Sequence, residues 1–121
     1  MSEVEKLLEA ARAGLDRVEC AQLTNEIASG ALVVDIRPEA DRVCEGALPG
    51  AVVIERNVLE WRLDPSSPDR IPEANDVGRR IILVCNEGYA SSLAAAALQT
   101  LGLSRATDLD GGYRGWKRFT S

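Results

Sequence analysis

Short apolar runs alternate with helix-period segments along this chain, and that alternation restricts the fold more than any other feature. Ala31-Leu32-Val33-Val34-Asp35-Ile36, Gly50-Ala51-Val52-Val53-Ile54 and Ile81-Ile82-Leu83-Val84-Cys85 each suit a strand buried on both faces. Ala106 to Leu109 gives a fourth, shorter run. Helical patterns fall between them. Residues 3–13 carry Val4, Leu7, Leu8 and Ala11 on one face and stop near Gly14, and residues 21–29 carry Leu23 and Ile27 and stop at Gly30. Pro38 to Val43 suits one helical turn or two, residues 91–101 a helix stopped by Gly102, and Tyr113 to Phe119 a last helix. This order predicts an α/β fold with three layers, a mainly parallel central sheet and helices on both faces. Ligands of such sheets bind beyond the carboxyl ends of the strands. Residues 1–16 read as an N-terminal helical extension capping the core and 17–121 as the domain. Pro65, Pro68 and Pro72 interrupt residues 55–80, which read as a surface excursion, mostly loop, with Trp61 either a rim residue or a plug over the core.

A chain of 121 residues with 45% apolar content suits one domain with one core. The net charge of −5 argues against nonspecific nucleic-acid binding, which rests on basic side chains neutralising phosphates. No run of apolar residues is long enough to span a membrane, and the charged amphipathic N-terminus lacks a signal-peptide core, so a cytoplasmic protein is expected. Three cysteines at irregular spacing make no disulfide framework and no zinc site, and no cofactor is implied. Histidine is absent, which removes the usual general base and the Cys–His nucleophile pair.

Cys85 is therefore the centre of interest. It ends the third strand pattern, and the short loop Asn86-Glu87-Gly88-Tyr89-Ala90-Ser91 leads from it into the Ala/Leu-rich helix. A glycine-bearing loop that opens a helix points backbone N–H groups at whatever the cysteine presents, a cradle suited to a thiolate or a sulfur-borne anion. The helix dipole contributes about 0.3–2 kcal/mol, so direct N–H bonds must supply much of the stabilisation. A carboxylate about 7 Å away would cost from about 0.6 to about 2.4 kcal/mol, depending on the effective dielectric constant. Glu87 is therefore expected to point into solvent.

Three segments in order resemble the rhodanese-like family of sulfurtransferases. Leu32-Val33-Val34-Asp35-Ile36-Arg37 with Gly46-Ala47-Leu48-Pro49-Gly50-Ala51 is similar to the family's Asp-x-Arg strand end and Gly-His-Ile-Pro-Gly-Ala turn. The cysteine loop is the second, and Leu109-Asp110-Gly111-Gly112-Tyr113-Arg114-Gly115-Trp116 is similar to the closing Gly-Gly-x-x-x-Trp segment. The resemblance implies the rhodanese-like fold and a ping-pong transfer. In it Cys85 takes sulfane sulfur from a donor such as thiosulfate, holds it as a persulfide and passes it to cyanide or a thiol acceptor. The amides of Asn86 to Ser91 would bind the sulfur. The loop departs from family members that favour thiosulfate by offering no Arg or Lys, which leaves Arg37, Arg56, Arg62 and Arg114 as candidate cations. The family's histidine is Ala47 here, a position read as affecting the turn alone.

Other readings stay open. A rhodanese-like module could act as a sulfur-relay or binding partner of a persulfide-carrying protein, with little turnover on small donors. Dual-specificity phosphatases and arsenate reductases of similar fold need an arginine six residues after the cysteine, where this chain has Ser91. Asp35 and Arg37 read as scaffold, an ion pair or turn bonds at a strand end, before substrate contact. Cys20 and Cys44 read as structural or incidental, with Cys44 a candidate to resolve a Cys85 persulfide. Trp116 reads as packing on the core.

Overall fold

The structure, a computed structural model, describes residues 1–121. Six helices, α1 (Glu3–Ala13), α2 (Cys20–Ala28), α3 (Glu39–Glu45), α4 (Leu59–Leu63), α5 (Ala90–Thr100) and α6 (Gly112–Thr120), surround strands β1 (Leu32–Asp35), β2 (Val52–Val53), β3 (Ile81–Val84) and β4 (Ala106–Asp108). All strand pairs are parallel, in the order β2-β1-β3-β4, and Val18 adds a single bridge beside Leu109. Alternate side chains sort the core into two layers, as the period of two in a strand requires. Leu32, Val34, Ile81, Leu83, Cys85 and Ala106 face α4 and α5, whereas Val33, Ile82, Val84 and Leu109 pack with Leu23 of α2 and Tyr113 of α6. No helix is long and apolar enough to cross a membrane.

Four local expectations change. The Gly50–Ile54 run yields a two-residue edge strand with Val53 exposed, because no further strand covers it. Residues 55–80 are mostly loop outside the helical stretch 56–63 and largely exposed, as expected, but Leu59, Leu63, Ile71 and Ala74 are buried and join the core beside β1 and β3, so the segment covers the sheet as well as crossing the surface. Trp61 of that segment is 58% exposed, which excludes the plug. Helix α1 forms over the expected residues under a Ser2–Glu5 capping box, yet it buries no residue fully and leaves Val4 and Leu7 exposed. It packs against α5 rather than on the sheet. Ile27 of α2 is likewise exposed.

Candidate active site

Cys85 follows β3 immediately, at the carboxyl end of the sheet, and is 7% exposed. Its Sγ accepts the backbone N–H of Gly88 at 3.2 Å and of Ser91 at 3.3 Å, and Ser91 Oγ lies 3.2 Å away. Of the six loop residues, Gly88 and Ser91 thus reach the sulfur through their amides, while those of Asn86, Glu87, Tyr89 and Ala90 do not donate to it. Ser91 lies in the first turn of α5, so the helix N-terminus faces the sulfur as well. Asn86 turns its side chain away, donating through Nδ2 to Glu45 Oε2 at 2.7 Å. Glu87 is exposed and paired with Arg114, and Tyr89 is exposed.

Two glycines make this geometry possible. Gly88 has φ +88°, and a Cβ there would sit 3.1 Å from Gly111 N and 3.3 Å from both Gly112 N and Arg17 Nη2. Gly112 is tighter still: at φ +61° a Cβ would meet Cys85 O at 2.6 Å and Asn86 O at 2.7 Å. The Gly-Gly segment therefore lets the start of α6 lie backbone against backbone on the cysteine loop. Tyr113 N–H then donates to Cys85 O at 2.8 Å and Arg114 N–H to Asn86 O at 3.0 Å. The motifs separated along the chain meet here.

The Asp-x-Arg end of β1 joins the same assembly. Arg37 donates from Nη2 to Asp35 Oδ2 and to Gly46 O, both at 2.8 Å, and its guanidinium lies 3.8 Å from the Tyr113 ring centre. Both members of the pair are buried. Tyr113 Oη donates to Glu45 O at 2.9 Å. The Glu45 carboxylate accepts from Arg114 and Asn86, which lower its pKa from the ordinary 4.5 to about 2, against a smaller upward push from burial. Above Cys85 opens a cleft of about 530 Å³ whose walls include Ile36, Arg37, Arg56, Glu87, Tyr89 and Arg114. Arg62 is absent from these walls and donates to Asp69 O. Every arginine lining the cleft has a carboxylate partner: Glu60 for Arg56 and Glu45 and Glu87 for Arg114 at the mouth, and Asp35 for Arg37, whose side chain is shut off from solvent. Ala47 is exposed and lines no part of the cleft, and neither does Cys44. Cys20 lies 3.6 Å from Asp110 O, and burial, followed by the Asp110 charge, pushes its thiol pKa up.

Behind the loop lies a group of residues that sequence reasoning missed. Asp108 of β4 is fully buried and accepts hydroxyl hydrogens from Ser91 at 2.7 Å and Ser92 at 2.8 Å, and the Arg17 guanidinium at 2.9 Å. Burial pulls the Arg17 pKa down, but the hydrogen bond and charge of Asp108, followed by Asp110 and Cys85, leave it raised. Arg17 Nη2 also donates to Gly88 O at 3.0 Å, as does Arg12 Nη2 at 2.8 Å, and Arg12 Nε donates to Ser92 Oγ at 3.1 Å. One signal was available: an aspartate inside the run Ala106–Leu109 must be paired when that strand is buried.

The whole is a cysteine-based anion cradle at the end of a parallel sheet. Residues 19–119 match the model of the rhodanese-like domain, and the chain belongs to that family. It is 33% identical over 89 residues to a thiosulfate sulfurtransferase, GlpE, of Stutzerimonas stutzeri strain A1501, spanning 74% of this chain and 72% of the relative. The thiosulfate sulfurtransferase GlpE of Pseudomonas fluorescens is 32% identical over 99 residues, 82% of this chain and 80% of the relative. Among solved structures, a human single-domain sulfurtransferase superposes with a TM-score of 0.71 at 25% identity, covering 87% of this chain and 97% of that one. A Rhodopseudomonas palustris protein of unknown function, described as a possible tyrosine phosphatase, superposes at 0.87 with 26% identity, covering all of this chain and 93% of that one.

Proposed function

We propose that this protein is a rhodanese-type sulfurtransferase that carries sulfane sulfur on Cys85 as a persulfide. The observation that carries the reading is the pair of amide hydrogen bonds from Gly88 and Ser91 to Sγ at the floor of the cleft. With thiosulfate as donor, the Cys85 thiolate attacks the outer sulfur, the sulfur–sulfur bond of the donor breaks, and sulfite leaves with the bonding pair. The new Cys85 persulfide is an anion, which amides aimed into a buried loop stabilise. Cyanide or an acceptor thiolate then attacks the terminal sulfur and the cysteine thiolate leaves. Ser91 supports both states. Its proton rests on Asp108 while the cysteine is a thiol, and it turns to sulfur when the thiol ionises, because Ser92 and Arg17 continue to hold the Asp108 carboxylate.

Mass spectrometry after incubation with thiosulfate tests the reading. The mass of one sulfur atom on Cys85, removed by cyanide with release of thiocyanate and absent in Cys85→Ser, is the expected result. The paired state of the mouth arginines favours a second arm, in which a persulfide-carrying protein loads Cys85 faster than thiosulfate does. A small dianion finds no uncommitted cation there, whereas a protein donor brings its sulfur by docking. The description of the Rhodopseudomonas palustris protein calls for one more arm. Release of phosphate from an aryl phosphate, lost in Cys85→Ser, would overturn sulfur transfer in favour of phosphatase chemistry. Ser91 stands against that outcome, since the sixth residue after the cysteine provides a hydroxyl bound to Asp108 rather than a guanidinium for a tetrahedral oxyanion.

A further inference from the structure

The two arginines on the Gly88 carbonyl both lie before residue 19, where the rhodanese-like match begins. Arg12 belongs to α1 and Arg17 to the segment that leads from it. Their common target is a peptide used on both sides: the Gly88 N–H donates inward to Sγ, and its carbonyl accepts from the two guanidinium groups at 2.8 and 3.0 Å, with Ser92 Oγ farther off at 3.3 Å. Gly88 is the loop's most adaptable residue as well, with no side chain to wedge it and a positive φ. Packing against Gly111 and Gly112 limits where this peptide can lie, and the contacts on its carbonyl set how it is turned, hence whether its amide points at the sulfur.

We infer that Arg12 and Arg17 are positioning residues of the cysteine site, and that the N-terminal segment is a working part of it because both arginines lock the Gly88 peptide and Arg12 lends the loop a cation its own sequence lacks. This rests on the reading of Cys85 as the sulfur carrier. The two arginines divide the task. Arg17 shares its charge with Asp108 and Asp110, at 2.9 and 3.3 Å, so its contribution is mainly directional. Arg12 has no carboxylate within ion-pair distance, and its remaining contacts are Ser92 Oγ and the face of the Tyr89 ring, 5.8 Å from the ring centre. Its positive charge is therefore not tied up in an ion pair on the outer side of the loop. The weak burial of α1 fits this role: the helix buries no residue fully against α5, and its side chains meet the rest of the protein most specifically at Arg12.

The test compares Arg12→Gln, Arg12→Lys and Lys6→Gln in the full chain, the last being a charge loss on the same helix facing Glu3. Each is assayed for thiosulfate-to-cyanide transfer and for the rate at which iodoacetamide alkylates Cys85. Arg12→Gln is expected to lower kcat/KM roughly tenfold, chiefly through kcat, and to slow alkylation, with partial rescue by lysine. Lys6→Gln is expected to match the wild type. Wild-type transfer and alkylation rates in Arg12→Gln, equal losses in Lys6→Gln, or losses that track a lowered Tm would overturn the inference. Alkylation reads the site whether or not sulfur is transferred. An inactive wild type that still shows the Arg12 effect on alkylation would count against the proposed function and for the positioning role.

Discussion

Two buried arginine–aspartate pairs stand at the carboxyl end of the sheet, and they differ in almost everything except chemistry. Arg37 and Asp35 are two residues apart, are both shut off from solvent, and brace β1 to the turn at Gly46 and the ring of Tyr113. Arg17 and Asp108 are 91 residues apart; the arginine keeps 17% of its side chain exposed, and the pair braces the back of the cysteine loop. The first pair fixes the architecture around the site and the second fixes the site itself. Burial therefore grades what each is worth to stability, while contact with the loop decides what each is worth to chemistry.

Breaking the deeper pair should cost most. Arg37→Met leaves Asp35 buried without its partner and is expected to lower the unfolding free energy by about 3–5 kcal/mol, read from urea denaturation. Arg17→Gln leaves Asp108 with its two serine donors, so a smaller loss of about 2 kcal/mol is expected, together with a fall in sulfur transfer out of proportion to it. Adding Asp108→Asn should restore part of the stability, and a double-mutant cycle showing no coupling would dissolve the pair as a unit. The exposed Arg114–Glu45 pair extends the comparison to acid. The folded Glu45 pKa of about 2 lies below the ordinary 4.5, so its contribution is complete above that value and is lost as pH falls toward about 2. Glu45→Gln should therefore flatten the stability–pH curve within that window and lower it by a pH-independent amount above. Arg56→Gln gives the smallest effect: its pair with Glu60 is a partly exposed i,i+4 contact, and a roughly threefold rise in KM for thiosulfate at constant kcat is expected.

The same two pairs show what can be read along a chain. Asp35 and Arg37 could be named as a scaffold pair because a strand end with two ionic residues closes on itself locally. The strands β1 and β3 were legible because burial on both faces leaves a continuous apolar run. Cys85 was legible because its loop sits between two opposite periodicities. Arg12 and Arg17 were not, since nothing in residues 1–17 says which loop a guanidinium will reach after the chain has passed through the whole sheet. The burial of Leu59, Leu63, Ile71 and Ala74 escaped for a related reason. Prolines mark where regular structure ends, but they say nothing about whether the irregular chain lies over a core.

The contact of Gly88 with Gly111 and Gly112 has a consequence for how such a site changes over generations. Backbone rests on backbone there, so the back of the loop accepts no new side chain, and a cation cannot be introduced at residue 88 without parting the loop from α6. Positions 87 and 89 are exposed and have room for other side chains, at the cost of the contacts of Glu87 with Arg114 and of Tyr89 with Arg12. Selection for a new sulfur donor would accordingly act on the exposed rim positions of the loop and on the N-terminal helix, and directed evolution aimed at residue 88 itself would explore the least yielding point of the site.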